Sequence, residues 1–284
     1  MLQDLEFGRL ENEYRPLPPK ADDYVLCFRG ADVLLHREED GALTLPTVSR
    51  FPAAQLRYAF RLHDRSYYLL SGETVEAPAP FVYEPARALR QTVSKEVCYA
   101  VLTGWHLFCW YGSNRFCGRC GGQTVHEDAL RALRCPDCGN LIFPRINPVV
   151  IVAVTDGDRL LLSRYAGRSY TSYALLAGYT EIGETMEQAA AREVYEEVGL
   201  HIKNLRYYKS QPWGVDGNIL MGFFCDLDGT DTIRLDEQEL SHAGWYDRHA
   251  LPARDDGFSL TREMIRMFGE GKEPKSRPPA KPVA

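Results

Sequence analysis

No apolar run in this 284-residue chain approaches the roughly 20 residues a helix needs to cross a bilayer; the longest is Pro148-Val-Val-Ile-Val-Ala-Val154. Positive charge is also in short supply. Lys and Arg number 33 against 39 Asp and Glu, a net charge of -6, so no global positive field draws the protein to nucleic acid or anionic lipid, and only a local basic groove is compatible with the count. The first residues, Met1-Leu-Gln-Asp-Leu-Glu-Phe7, lack a basic segment followed by an apolar one. With no secretory signature, the expected location is the cytoplasm. No internal repeat is present. What the chain does contain is ordinary globular material, 45% hydrophobic and 25% charged, which excludes disorder throughout and suffices for about two domains of roughly 150 residues each.

Eight cysteines could form four disulfides, but Cys27, Cys98, Cys109 and Cys225 are scattered and the other four fall in two C-x-x-C pairs. That pattern reads as metal ligation plus reduced thiols. Cys117-Gly-Arg-Cys120 and Cys135-Pro-Asp-Cys138 stand fourteen residues apart, each pair followed by a glycine. Two such knuckles make a zinc ribbon, in which four thiolates close a tetrahedron around Zn²⁺. With no open coordination position, the expected role of the metal is structural.

Along the chain, the runs Tyr24–Phe28, Val33–Leu35 and Tyr67–Leu70, separated by Gly, Pro and Asp clusters, predict a β-rich N-terminal domain over 1–111. Helical spacing of Leu89, Val93, Val97, Ala100, Val101 and Gly104 predicts a closing helix over 86–110. The ribbon occupies 112–142. A third domain, 143–269, opens on a hairpin formed by Val149–Val154 and Arg159–Leu162. Thr185 and Gln188 form a capping-box pair before a helix that Gly199 ends. Strands over Leu205–Tyr208 and Leu220–Cys225 and a helix over Ser259–Phe268 follow, and the Lys-, Glu- and Pro-rich residues 270–284 predict a flexible tail.

The helix after Thr185 carries the chemistry. Glu193, Glu196 and Glu197 are spaced i, i+3 and i+4, so the three carboxylates share one face. Stacked like charges destabilise a helix unless a cation compensates, and oxygen-only ligands suit hard Mg²⁺ or Mn²⁺. Such an ion would polarise a phosphoryl oxygen and orient a hydroxide for attack on phosphorus. Arg192 is placed to pair with Glu184. A solvated acidic helix face is the bland alternative for a Glu-rich helix.

The whole string decides between them. Gly178-x5-Glu184-x7-Arg192-Glu193-Val194-x-Glu196-Glu197-x-Gly199-Leu200 matches the Nudix box at every defined position, and residues 178–200 resemble a Nudix hydrolase. The resemblance implies an α/β/α sandwich with a mixed sheet, so that the whole chain is α+β, with the ribbon and a β-rich domain preceding the sandwich. A zinc ribbon directly before Phe143-Pro-Arg-Ile-Asn-Pro148, then the box, then Ser210-Gln-Pro-Trp213, is similar to the NADH pyrophosphatase family over roughly residues 110–265.

That resemblance implies metal ligands at the Ala177 carbonyl, Glu193, Glu197 and Glu239, with Glu196 a further ligand or base, and Glu184 and Arg192 as part of the catalytic set. It also implies that Phe143 and Tyr179 sandwich a base and that Gln211, Pro212, Trp213 and Asn218 touch substrate. The family commonly forms homodimers. One departure stands out. The family reads Ser-Gln-Pro-Trp-Pro-Phe-Pro-x-Ser-Leu-Met, whereas this chain reads Ser210-Gln-Pro-Trp-Gly-Val-Asp-Gly-Asn-Ile-Leu-Met221, one residue longer and without the two stiffening prolines. The expectation is a more flexible loop, with Asp216 unfavourable near a diphosphate unless a cation intervenes.

The implied activity is metal-dependent cleavage of NAD(H) to NMN(H) and AMP, extending to removal of NAD caps from RNA. Two alternatives stay open. The same chemistry could act on ADP-ribose, a dinucleoside polyphosphate or a nucleotide sugar, or the protein could be a non-catalytic zinc-ribbon nucleotide sensor.

Overall fold

The computed structural model describes residues 1–6, 9–71, 75–77, 79–167, 172–252 and 256–275. Two compact units account for it: Met1 with Asn147–Pro212 and Asn218 onward, and Leu2–Ile146 with Trp213–Gly217.

In the first unit the central strand Asn147–Asp156 explains its own composition. Val150, Val152 and Val154 alternate onto one face, where Ala189, Ala190, Val194 and Val198 of the helix Met186–Val198 cover them. Ile151 and Ala153 point to the other face, against Leu260, Met264, Ile265 and Phe268 of the helix Leu260–Gly269. A strand covered on both faces must be apolar at successive positions, which is why the run Val149–Val154 does not alternate. The result is a helix, sheet, helix sandwich.

The sheet is mixed. Its strands run in the order His201–Trp213, Asn218–Asp228, Asn147–Asp156, Arg159–Tyr165, Leu240–Asp247, with Leu176–Tyr179 also paired to the central strand. Asn147–Asp156 runs parallel to Asn218–Asp228, in register Asn147 to Asn218, and antiparallel to Arg159–Tyr165 and Leu176–Tyr179. The hairpin expected at Val149–Leu162 is therefore present, with longer strands than the sequence suggested. Its closing pair is Asp156 with Arg159.

The helix Met186–Val198 starts and stops where local chemistry dictates. Thr185 accepts from the Gln188 backbone N–H, Gln188 reciprocates to the Thr185 N–H, and Gly199 forms the C-cap. Of the residues expected in a flexible tail, 276–284 lie outside the described residues. Ahead of them, Glu273 is paired with Arg248 and the Pro274 carbonyl accepts from Arg206.

The second unit is β-rich. One sheet orders Leu10–Glu11, Leu56–Leu62, Arg65–Leu70 and Tyr24–Leu26, and another joins Phe28–Arg29, Asp32–Arg37, Leu43–Thr44 and Phe81–Pro85. The closing helix is shorter at its start than the apolar spacing predicted. Ala86–Gln91 is a 3-10 segment, and the α-helix runs Lys95–Ser113. Ser94 sets this boundary by accepting from the Val97 N–H as N-cap, a local interaction that overrides the periodicity of Leu89 and Val93. Three short strands, Leu141–Ile142, Leu133–Arg134 and Val125–His126, form the ribbon sheet.

Candidate active site and zinc centre

The two knuckles of the ribbon fold identically. The Gly121 N–H donates to the Cys117 carbonyl at 2.8 Å and the Gly139 N–H to the Cys135 carbonyl at 2.9 Å, so each turn carries its two sulfurs to the same side. All four sulfur atoms lie within 4.8 Å of one another, with Cys117 and Cys138 at 3.7 Å and Cys120 and Cys135 at 3.4 Å. Four sulfurs each about 2.3 Å from one Zn²⁺ would stand roughly 3.8 Å apart. The thiols thus fit a closed structural zinc centre. Cys27, Cys98, Cys109 and Cys225 are free, and burial pushes each of these thiols up, Cys98 to about 11.

On the helix Met186–Val198 the three glutamates do not share one environment. Glu193 is 8% exposed and Glu197 2%, at the edge of the apolar stripe made by Ala189, Ala190, Val194 and Val198, while Glu196 is exposed. At about 100° per residue, Glu193 and Glu197 are only about 40° apart, and Glu196 falls on the outer side of Glu193. Burial outweighs helix repulsion here. An i,i+4 pair of like charges costs a few tenths of a kcal/mol, whereas burying a charged group costs several kcal/mol unless compensated.

Arg192 supplies part of the compensation. Its guanidinium donates through Nε at 3.1 Å and Nη2 at 2.6 Å to the two Glu184 oxygens, a bidentate pair, and Nη2 also reaches the Tyr179 carbonyl at 2.9 Å. Nη1 bridges Glu193 at 2.8 Å and Glu196 at 2.9 Å. The loop and helix are locked as the sequence suggested. The cation favours the ionised form of both carboxyls, but it prevails only on Glu184. It holds the Glu184 carboxyl below the usual range, but Glu193 is pushed up, chiefly by burial and further by the charges of Glu196 and Glu239.

Those contributions place Glu239 within electrostatic reach of Glu193. The segment bearing Glu239 is tied to the helix end by the Asp236 N–H on the Glu197 carbonyl and the Arg234 N–H on the Val198 carbonyl, both 2.9 Å. Ala177 pairs with Ile151 on the strand that also carries Gly178, and a β-carbon at 178 would lie 1.9 Å from Glu193 Cδ. Of these donors Glu193 and Glu197 are buried and Glu239 is exposed, and oxygen-only donors are of the kind that suit a hard divalent cation.

The other expected residues divide. Tyr179 is 53% exposed, and its hydroxyl accepts from Asn218 Nδ2 at 3.3 Å. Asn147, which the sequence did not single out, donates to Asn218 at 3.5 Å; its only signal was position opposite Asn218 in a parallel pairing that no local pattern reveals. Phe143 is 56% exposed and Pro212 is exposed.

Gln211 departs from the expectation. It is fully buried, and its carboxamide donates to the Phe258 carbonyl and accepts from the Leu260 N–H, both at 2.7 Å. Both ends of the amide hold the start of the final helix, so Gln211 supports the chain before Trp213 and offers no exposed group to a substrate.

The loop after Trp213, expected to be flexible, packs closely. A β-carbon at Gly214 would lie 2.1 Å from the Leu102 carbonyl oxygen, and one at Gly217, where φ is +70°, would lie 3.1 Å from His106 Nε2. The glycines bring the loop against the helix Lys95–Ser113. Asp216, expected to be unfavourable near a diphosphate unless a cation intervenes, accepts from Arg87 Nη2 at 2.8 Å and from the Trp213 indole N–H at 3.2 Å.

Residues 113–143 match the NADH pyrophosphatase zinc ribbon domain and residues 145–268 the NUDIX domain. The chain is 40% identical over 153 residues to the NAD-capped RNA hydrolase NudC of Vibrio atlanticus (strain LGP32), covering 54% of this chain and 56% of that protein. It is 35% identical over 203 residues to the protein of the same name from Citrobacter koseri, covering 69% of this chain and 79% of the relative. The matches thus span little more than half the length of some relatives and over three quarters of others. The crystal structure of a NUDIX hydrolase from Nitrosomonas europaea overlays with a TM-score of 0.48 at 23% identity, over 56% of this chain and 92% of that one. Among the described residues no helix is long and apolar enough to cross a membrane. With the box, the ribbon, the two domain matches and the Citrobacter koseri relative together, the chain belongs to the NADH pyrophosphatase family of Nudix hydrolases that carry a zinc ribbon.

Proposed function

We propose that the protein hydrolyses the diphosphate bond of NAD(H), giving NMN(H) and AMP, and that the same reaction removes NAD caps from RNA. The observation that carries this reading is the pair of buried carboxylates on the edge of the helix Met186–Val198, Glu197 and Glu193, the latter beneath Gly178. The relatives' printed name, NAD-capped RNA hydrolase, supports the substrate class.

Glu193, Glu197, Glu239 and the Ala177 carbonyl would hold Mg²⁺ or Mn²⁺, with Glu196 as a further ligand or as base. Such an ion neutralises charge on the diphosphate and acidifies water. The chain's own residues do the rest. Arg192 keeps Glu184 ionised and fixes Glu193 and Glu196 in place. Tyr179, with Asn218 holding its hydroxyl, presents an aromatic face on which a base stacks for about 1 to 3 kcal/mol, and Phe143 offers another exposed ring. A water oxygen attacks one phosphorus, the bridging P–O bond breaks, and the proton released passes to a carboxylate of the helix.

The division into 1–111, 112–142 and 143–269, a homodimeric assembly and a cytoplasmic location complete the proposal; the reduced, metal-ready cysteines support the last. A second reading keeps the chemistry but takes ADP-ribose, a dinucleoside polyphosphate or a nucleotide sugar, and the Gly214–Gly217 sequence favours it. Comparing kcat/KM across NADH and these substrates separates the two: NADH highest supports the first reading, and a tenfold preference for another substrate replaces it.

A further inference from the structure

We infer that Asp216 is a positioning residue that fixes the Trp213 indole, and that Arg87 holds Asp216 in turn; this rests on the substrate reading above, in which Trp213 lies in the binding segment. The argument begins with a three-residue turn. The Asp216 N–H donates to the Trp213 carbonyl at 3.4 Å, and the side chain returns to the indole N–H at 3.2 Å. One residue therefore grips Trp213 at both its backbone and the edge of its ring.

The other carboxylate oxygen is not left to solvent, because Arg87 Nη2 reaches it at 2.8 Å. That pair is exposed, 65% for Arg87 and 45% for Asp216, and an isolated exposed ion pair adds little. Its use is geometric. With one oxygen held by Arg87, the other can point only where the indole N–H meets it.

The turn is docked on the helix Lys95–Ser113. Gly214 sits so close to the Leu102 carbonyl that no side chain fits, and Gly217 lies less tightly against His106, whose Nε2 is 2.8 Å from the Arg145 carbonyl. Close docking on a helix thus replaces stiffness in the chain. An indole held at its N–H edge leaves its faces in a defined orientation, which is what stacking a planar base requires. Asp216 touches no reacting atom, so its loss should weaken substrate binding and leave the bond-breaking step largely alone.

The test uses the full-length, zinc-loaded protein, with NADH hydrolysis followed by AMP release. Asp216→Ala is expected to raise KM about tenfold with kcat within threefold. Asp216→Asn, which keeps an acceptor for the indole, is expected to restore KM to within threefold of the wild type. Arg87→Gln is expected to raise KM two- to fivefold with kcat within threefold of the wild type. Glu13→Gln, which breaks a comparably exposed pair with Arg15, serves as the unaffected control. Equal loss of kcat and KM in Asp216→Ala, no rescue by Asp216→Asn, or an unchanged KM would each overturn the inference. A wild-type protein that does not release AMP from NADH would instead overturn the substrate reading on which it rests.

Discussion

The Glu193 carboxylate lies directly under the backbone of Gly178: a β-carbon there would sit 1.9 Å from Glu193 Cδ and 2.1 Å from both carboxylate oxygens. Such a distance is far inside van der Waals contact, and Glu193 is buried and bridged by Arg192, so it cannot step aside cheaply. Glycine at the head of the box is therefore a requirement of the carboxylate beneath it. Gly178→Ala is expected to lower kcat at least a hundredfold by displacing Glu193, with overpacking costing about 1 to 3 kcal/mol of stability. Steady-state kinetics and thermal melting of the purified variant check both.

Glu197 is the deeper of the two carboxylates. Glu197→Gln is expected to reduce turnover by more than the ~10- to 100-fold typical of residues that merely support metal ligands. In the absence of divalent metal the same variant is expected to melt higher than the wild type, because a buried charge has been removed. Turnover within threefold of wild type would remove Glu197 from the site.

Glu263 provides a pH-dependent contribution away from the chemistry. Burial pushes its carboxyl up, but the Tyr208 hydroxyl at 2.7 Å, the Lys209 ammonium at 3.2 Å and the Met1 amine at 3.3 Å outweigh this and hold it below the usual range. A carboxyl depressed on folding stabilises above its unfolded pKa of about 4.3 and loses that contribution as pH falls through the folded value. Glu263→Gln is accordingly expected to be less stable than wild type by about 1 to 3 kcal/mol at pH 7, with the difference shrinking toward zero as the pH drops below about 4. Denaturant titrations at pH 7, 5 and 3 measure it.

Zinc removal should act locally. One zinc per chain is expected by metal analysis, and a chelator or Cys135→Ser should unfold the ribbon, since structural zinc contributes about 10 to 16 kcal/mol in small peptides. Hydrogen exchange should then rise over 113–143 while the strand Asn147–Asp156 stays protected. Uniform loss of protection along the chain would contradict a locally acting metal.

What the sequence made legible was local in origin. The helix Met186–Val198 could be placed because its cap, Thr185 with Gln188, and its stop, Gly199, are neighbours in the chain, and the knuckles of the ribbon because each is a short turn. The Arg192 to Glu184 pair was legible because both lie in one motif. What escaped depends on residues far apart in sequence. The Leu102 carbonyl decides that position 214 must be glycine, Arg87 decides where Asp216 points, and a parallel strand pairing brings Asn147 to Asn218. Even the buried state of Gln211 follows from Phe258 and Leu260, nearly fifty residues on. Glycines in the loop suggested flexibility from the sequence, but close approach uses the same residue, and the approach to Leu102 is not visible in the chain.

The central claim is tested most directly by incubating the zinc-loaded protein with NADH and either Mg²⁺ or Mn²⁺ and separating the products, with Glu197→Gln in parallel. The account predicts AMP and NMNH in equal amounts from the wild type with at least one of the two ions, and little of either from the variant. No AMP with either ion, or equal release from wild type and variant, would contradict it.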